Sequence, residues 1–100
     1  MASSKEFRDF VLDQLASLHG ISFKPMMGEF LLYYNGILFG GIYDNRLLIK
    51  PTSSNKSFDL PTEPPYPGAK PMLMVISVDD ASYLCNLVKT TCQALKPQNN

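Results

Sequence analysis

The sequence predicts an α+β domain in which an antiparallel sheet is flanked by an N-terminal and a C-terminal helix. Apolar residues recur at three- and four-residue steps near both ends of the chain, and the region between them holds apolar runs separated by turn dipeptides. We expect a four-stranded or slightly larger sheet, made of a three-strand meander and one later strand. With 100 residues, 45% of them hydrophobic and 18% charged, residues 1–96 are expected to form a single domain and 97–100 a disordered tail.

The first helix is expected to be capped by Ser3. Ser3 and Glu6 fit a capping box, in which each side chain satisfies a backbone N–H of the other residue. Gly20 is expected to end the helix in a left-handed conformation, with His19 at the negative end of the helix dipole in a structural role. The apolar stripe of this helix consists of Phe7, Phe10, Val11, Leu15 and Leu18.

Three strands are expected at 30–34, 37–43 and 46–50. The dipeptides Asn35-Gly36 and Asp44-Asn45 separate them, and both tolerate the positive φ of tight hairpin turns. Gly40-Gly41 interrupts the middle strand, which predicts a bulge or a close approach of the backbone to another group, a ligand included. A fourth strand is expected at 71–76.

Residues 51–71 are expected to form a loop without helix, because prolines occupy six of these positions. Such a loop is either a plain connection between distant sheet positions or a functional segment, and both interpretations stay open. The closing helix is expected to be capped by Ser77 or Asp79, with Lys89 and Lys96 near its end. Its apolar positions are Tyr83, Leu84, Leu87, Val88, Thr91 and Leu95.

The two cysteines are expected to be packed, free thiols. Cys85 and Cys92 lie seven residues apart on the closing helix, so the helical rise separates them by about 10 Å. A disulfide needs Cα atoms within about 7 Å. His19 is the single histidine, and two thiols with one imidazole fall short of the four ligands of a structural zinc site.

Composition argues against an enzyme, a membrane protein and a nucleic-acid-binding protein. The sequence lacks a second histidine and the common nucleophile and phosphate-binding motifs, while Asp79-Asp80 suits a helix N-terminus. Nine basic and nine acidic residues cancel, leaving no field to attract phosphate. No apolar run reaches the roughly 18 residues of a membrane span. We therefore expect a cytoplasmic protein with no catalytic residue, no metal and no cofactor.

The expected strands are apolar on both faces, which is unusual for an antiparallel sheet with one solvated side. The apolar runs are 30–34, 37–39, 47–49 and 72–76. Two helices can cover one face, so the other is expected to be covered by the loop 51–71, with Tyr66 as a plug, or by a second copy of the chain. On this ground we expect a homodimer.

Several short motifs follow one another in a specific order. A helix containing Phe-x-x-Phe-Val precedes PMMGEF at 25–30, YNG at 34–36, GIYDNRLLIK at 41–50 and PPYPGAKP at 64–71. In order and spacing these motifs resemble the TfoX (Sxy) N-terminal domain family of bacteria, over roughly residues 3–95. The matching structural positions are Gly28, Gly36, Lys50, Tyr66, Pro67 and Gly68.

The resemblance implies a bacterial, cytoplasmic α+β domain with no enzyme activity and no cofactor. It supplies no catalytic residues. The name-giving members are positive regulators of natural competence that act with a cyclic-AMP-responsive transcription activator. Those regulators also have a C-terminal helical domain of helix-hairpin-helix character, which the present residues do not match, so we expect a stand-alone N-terminal-type domain.

We therefore expect a non-enzymatic protein-interaction module with the transcription machinery as its partner. Methionines adapt to varied partners and prolines lower the entropy lost on binding, which predicts a partner surface formed by Pro25, Met26, Met27, Pro65, Tyr66, Pro67 and Lys70. The alternative is a small-ligand-binding protein or cryptic enzyme with a pocket under the loop 51–71. Its polar groups would be Lys50, Tyr66, Lys70 and Asp44, and a cavity of about 300 Å³ or more beneath the loop would favour it.

Overall fold

Six antiparallel strands form one sheet in the computed structural model, which describes residues 2–95, and two helices pack on one face of this sheet. The strand order is β1-β2-β3-β4-β6-β5, so a four-strand meander is extended by a later hairpin. This confirms the predicted α+β class and the two flanking helices. The elements are α1 (Lys5–Gln14), β1 (Ile21–Met26), β2 (Glu29–Tyr34), β3 (Ile37–Tyr43), β4 (Arg46–Ile49), a 3₁₀ helix (Ser53–Phe58), β5 (Thr62–Glu63), β6 (Met72–Met74) and α2 (Ala81–Ala94).

Three consecutive two-residue turns connect β1 to β4. The turns are Met27-Gly28, Asn35-Gly36 and Asp44-Asn45, and all six residues have positive φ, from 51° to 85°. This is the conformation of type I′ turns, whose twist matches that of the flanking strands. The turns at Asn35-Gly36 and Asp44-Asn45 were predicted.

The strand β1 corrects the sequence prediction, which began the sheet at residue 30. Pro25 suggested a turn and concealed the alternation of Ile21 and Phe23 with polar residues. A proline is tolerated here because β1 is an edge strand. In the register Met26 pairs with Glu29 across the turn, so the backbone nitrogen of Pro25 is on the side facing away from β2.

The hydrophobic core lies between the two helices and one face of the sheet, called here the helix face. Its completely buried members come from α1, from β2 to β4 and from α2, and each has less than 2% of its surface exposed. These members are Val11, Leu15, Leu32, Phe39, Ile42, Leu47, Ile49, Leu84, Leu87 and Val88.

Both helix caps lie one residue beyond the nearest predicted position. Ser4, not Ser3, accepts the N–H of Phe7 at 3.0 Å, and Asp80, not Ser77 or Asp79, accepts the N–H of Tyr83 at 3.1 Å. The Ser3 hydroxyl is engaged elsewhere: it donates to Glu29 Oε1 at 2.5 Å and accepts the N–H of Asn45 at 2.9 Å. The N-terminal segment is thereby joined to two hairpins.

The end of α1 also differs from the prediction. The helix stops at Gln14, and irregular turns lead to Gly20, which has the positive φ expected of it, 102°. Phe10 was placed in the apolar stripe, yet 42% of its surface is exposed. His19 is exposed in the connecting turn.

The segment 51–71 contains a 3₁₀ helix and the short strand β5, which corrects the prediction of a loop without helix. The prolines flank residues 53–58 and do not interrupt them. The fixed point of this segment is Asn55, which is 1% exposed and forms a capping box with Thr52. Its Nδ2 donates to the Lys50 carbonyl at 3.0 Å and to Thr91 Oγ1 at 2.8 Å, so it joins the segment to α2.

Cys85 and Cys92 are buried and free, as predicted. Burial raises the pKa of the Cys92 thiol to about 11. Between residues 2 and 95, no cluster of three or more His, Cys, Asp or Glu side chains is placed to hold a metal ion. Over the same residues neither helix has the length and apolar character to cross a membrane. Lys96 and the predicted tail 97–100 lie outside the described residues.

Candidate functional site

The sheet face opposite the helices is overlaid by residues 64–71, which we call the strap; this face is the strap face. Leu48 is completely buried and Tyr43 is 7% exposed, yet neither belongs to the core under the helices. Leu48 points to the strap face because Leu47 and Ile49 on either side of it point to the helix face. Tyr43 lies on the same face because it pairs with Arg46, two residues before Leu48 on β4. The register adds Leu31, Tyr33, Leu38, Arg46, Met72 and Met74 to this face.

Arg46 attaches the strap to the sheet. Its Nη1 donates to the Pro64 carbonyl and its Nη2 to the Pro65 carbonyl, both at 3.3 Å, while its Nε donates to the Tyr43 carbonyl at 3.2 Å. Nη1 also lies 3.8 Å from a carboxylate oxygen of Glu63. The two proline carbonyls accept bonds that a neighbouring strand would otherwise supply, so the first residues of the strap are held at one position.

Gly40 and Gly41 produce both effects that the sequence predicted. The register between β2 and β3 shifts at Leu32, which marks a bulge. A Cβ on Gly41 would lie 2.7 Å from the Phe30 carbonyl oxygen and 2.7 Å from the Tyr43 ring. Because Gly41 has no side chain, the Tyr43 ring can occupy this space. Burial and, to a smaller extent, the neighbouring Tyr66 and Glu29 raise the pKa of Tyr43, so its phenol is protonated at neutral pH.

A cavity of about 400 Å³ lies between the strap and the sheet. Lys50, Tyr66 and Lys70, three of the four polar residues predicted for a ligand pocket, line it together. The fourth, Asp44, does not. It lies in the β3–β4 turn, at the end of this hairpin opposite Lys50. There it borders a separate depression of about 460 Å³ with Glu29, Arg46 and Glu63.

A second depression, of about 380 Å³, brings together two segments of the predicted partner surface that are far apart in sequence. Met26 and Met27 from the first hairpin and Pro65 and Tyr66 from the strap line it, with Glu29 and Tyr43. The other predicted partner residues lie elsewhere. Pro67 borders the depression that contains Asp44, Lys70 lines the cavity under the strap, and Pro25 lies on the helix face opposite Phe30.

Tyr66 does not act as the expected plug, since 57% of its surface is exposed. Together with Tyr43 and Pro65 it lines both the 400 Å³ cavity and the 380 Å³ depression. Tyr66 and Pro65 also border the depression that contains Asp44, so the Tyr66 ring is a shared boundary of all three concave regions. The strap covers the sheet only in part.

Met27 is the most unusual residue of the second depression. Its side chain is 97% exposed, and its backbone has a φ of 52°. An L-residue other than Gly, Asn or Asp rarely adopts this left-handed conformation. Neither burial nor turn geometry accounts for a methionine at this position.

Sequence reasoning missed Tyr43 and Arg46 as residues of the site. A signal was present, because a two-residue turn at Asp44-Asn45 places Tyr43 opposite Arg46 on one face of the sheet. Both strands are apolar on each face, however, so the pattern did not show which face the helices cover.

Comparison with known proteins gives one informative result. No protein-family model matches the sequence, and no solved structure matches it. The chain is 34% identical over 98 residues to a protein from Spirochaeta aurantia described as "Uncharacterized 12.7 kDa protein in trpE 5′ region". The match covers 95% of this chain and 85% of that relative. The chain therefore belongs to the same family as this uncharacterised Spirochaeta aurantia protein.

Proposed function

We propose that the chain is a non-enzymatic, cytoplasmic protein-interaction module whose partner surface is formed by Met26, Met27, Pro65 and Tyr66. The observation that carries the proposal is Met27, an apolar side chain with 97% of its surface exposed in a left-handed turn position. Asn or Gly would suit the turn better and would remove the exposed apolar area. A partner that buries Met27 offsets both disadvantages, because full burial of a methionine side chain contributes about 1.5–3 kcal/mol.

The shape of the surface supports recognition of another protein. The depression of about 380 Å³ beside Met27 is bordered by the exposed ring of Tyr66 and by Pro65. Tyrosine and methionine are enriched at protein interfaces, and prolines restrict the conformations that binding must order. A partner side chain seated between Met27 and Tyr66 would contact residues from two hairpins at once.

We further propose that the partner belongs to the transcription machinery and that the chain resembles the TfoX N-terminal domain in role as well as in sequence. The motifs on which the resemblance rests support this proposal. PMMGEF contains Met26 and Met27, and PPYPGAKP contains Pro65 and Tyr66, so two of the motifs supply the proposed surface.

The experiment is affinity capture with tagged protein from a nuclease-treated lysate of its own bacterium, read by mass spectrometry. The variants are Met27→Asn and Tyr66→Ala, with Ile76→Asn as the matched control. Ile76 is 69% exposed and lies outside the proposed surface, so the control also replaces an exposed apolar residue by asparagine.

A transcription factor or polymerase subunit recovered stoichiometrically with wild type and Ile76→Asn, but not with Met27→Asn, supports the proposal. Equal recovery with Met27→Asn refutes the surface. Recovery of the bait alone refutes the interaction module.

A homodimer is part of the proposal. The strap leaves Tyr33 and Met74 half-buried on the strap face outside the cavity, and a second copy of the chain would cover them. Light scattering at high micromolar concentration tests this, with the mass of two chains expected. A mass of one chain overturns the dimer and leaves the partner surface untouched.

A second candidate function is the binding of a small ligand under the strap. The observation that favours it is the cavity of about 400 Å³, which exceeds the roughly 300 Å³ at which ligand sites begin. Lys50, Tyr66 and Lys70 supply polar groups at its border.

A further inference from the structure

We infer that the cavity under the strap binds a small amphiphilic carboxylate, free in solution, with its apolar body on the sheet and its carboxylate between Lys50 and Lys70. The inference rests on the second candidate function and names the chemical class of its ligand. It does not depend on the protein-interaction proposal.

The body of the cavity is apolar. Its floor is the strap face of the sheet, formed by Leu31, Leu38 and the ring of Tyr43, and Met72 closes one side. Leu31 and Leu38 are only half-buried, so they retain apolar surface that an occupant can cover. Removing such apolar surface from water favours binding.

The cavity is built into the fold and does not need an occupant to open it. Gly40 of β3 lines the cavity with backbone atoms, and a Cβ at this position would collide with the Leu48 carbonyl. Arg46 holds one end of the strap, and β6 begins directly after the other end. Four prolines within residues 64–71 stiffen the span between these two attachments.

Charge identifies the polar end of the ligand. Lys50 and Lys70 both line the cavity, and no aspartate or glutamate is among its lining residues. Within residues 2–95 neither ammonium group lies within 4.0 Å of a carboxylate oxygen, since the ion pairs there involve Arg8 and Arg46. Two unneutralised cations beside an apolar cavity complement one anionic group on an apolar body.

The same features argue against a nucleotide or a sugar phosphate as the ligand. A nucleotide or a sugar phosphate needs several donors for its hydroxyl groups and usually a helix N-terminus or a glycine-rich loop for its phosphate. The described lining offers instead two lysines, two phenols and largely apolar walls. A single carboxylate on a hydrocarbon or aromatic body complements this lining.

The test is isothermal titration of the full chain with decanoate and with decanol, which share a hydrocarbon body and differ in charge. The variants are Lys50→Met with Lys70→Met, the cavity-filling variant Ala69→Phe, and the control Lys5→Met. Ala69 lines the cavity from the strap and is half-buried, whereas Lys5 is exposed at the start of α1. Methyl resonances of Leu31 and Leu38 locate the bound ligand.

We expect wild type and Lys5→Met to bind decanoate about tenfold more tightly than decanol, as expected for hydrogen bonds to a charged group. The double lysine variant should bind both ligands alike, and Ala69→Phe should bind neither. If wild type binds decanoate and decanol equally, recognition of a carboxylate by the two lysines is refuted, while binding of an apolar ligand under the strap is supported. If neither ligand shifts the Leu31 and Leu38 resonances, the inference and the second candidate function both fail.

Discussion

The guanidinium of Arg46 donates a hydrogen bond of 3.3 Å to the backbone carbonyl of Pro65, and this bond joins the strap to the sheet. A second bond of 3.3 Å reaches the carbonyl of Pro64. All three concave regions beside the strap include Pro65, so one arginine affects the shape of each.

Arg46→Met should therefore loosen the strap without disturbing the helix face. We expect a loss of roughly 1–2 kcal/mol in the free energy of unfolding, because the variant loses hydrogen bonds from a charged donor that is only partly exposed. Urea denaturation measures this loss, and amide exchange at Tyr66 and Ala69 should accelerate. Lys5→Met, which removes an exposed charge on α1, should change neither quantity. Unchanged exchange in the strap would show that Arg46 does not hold it.

The helices and the central hairpins were predictable from local signals. The apolar stripes predict the helices, and the dipeptides Asn35-Gly36 and Asp44-Asn45 predict the turns. Both signals depend on conformational preferences within a few residues. The first strand was not predicted because Pro25 is acceptable only at a sheet edge, and being at an edge is a property of the whole sheet. The cap of the first helix differed by one residue because Ser3 bonds to Glu29, a contact between distant parts of the chain.

The candidate site was only partly predictable for the same reason. Met27, Tyr66 and the two lysines attracted attention by residue type, and the structure groups them into two concave regions. Arg46 and Asn55 could not be recognised from the sequence, because each acts by donating hydrogen bonds to backbone carbonyls, and the sequence does not show which carbonyls lie nearby.

Gly41→Ala should displace the Tyr43 ring. The added methyl group would lie 2.7 Å from that ring and from the Phe30 carbonyl, so strand β3 or Tyr43 must move. We expect a loss of about 1–3 kcal/mol in the free energy of unfolding, as for other overpacked interiors. Near-ultraviolet circular dichroism should report the altered tyrosine environment. Gly36→Asn is the control, since its position has open space around it and asparagine tolerates its positive φ.

Met27→Asn should make the protein more stable. Asparagine adopts the left-handed conformation of Met27 with less strain, and nothing packs against a side chain that is 97% exposed. We expect a gain of about 0.5–1 kcal/mol in the free energy of unfolding, measured by urea denaturation. Ile76→Asn, an exposed apolar residue outside the three hairpin turns, should give no such gain. A loss of stability in Met27→Asn would mean that the methionine has a structural role, and would remove the main support for the partner surface.

Asn55→Ala should be strongly destabilising. Asn55 is 1% exposed and uses its amide to bond the Lys50 carbonyl, Thr91 Oγ1 and the Thr52 N–H. Its removal leaves buried polar groups without partners, for which we expect a loss of about 2–4 kcal/mol in urea denaturation. Asn86→Ala, an exposed position on α2, should change stability by less than about 0.5 kcal/mol. A small effect at Asn55 would show that water replaces its bonds.

The raised pKa of the Cys92 thiol should make the protein less stable at alkaline pH than at neutral pH. Burial raises its pKa to about 11, whereas a thiol in the unfolded chain has a pKa of about 8.5. The folded state therefore keeps a proton that the unfolded state releases, so this contribution to stability is complete below about pH 8.5 and is lost as the pH rises toward 11. In the presence of a reductant, Cys92→Ala should show a smaller fall in the free energy of unfolding between about pH 8 and about pH 10.5 than wild type. The tyrosines with raised pKa values are present in both proteins, so their effect cancels in the comparison. Identical pH slopes in the two proteins would show that the Cys92 thiol is accessible to water in the folded state.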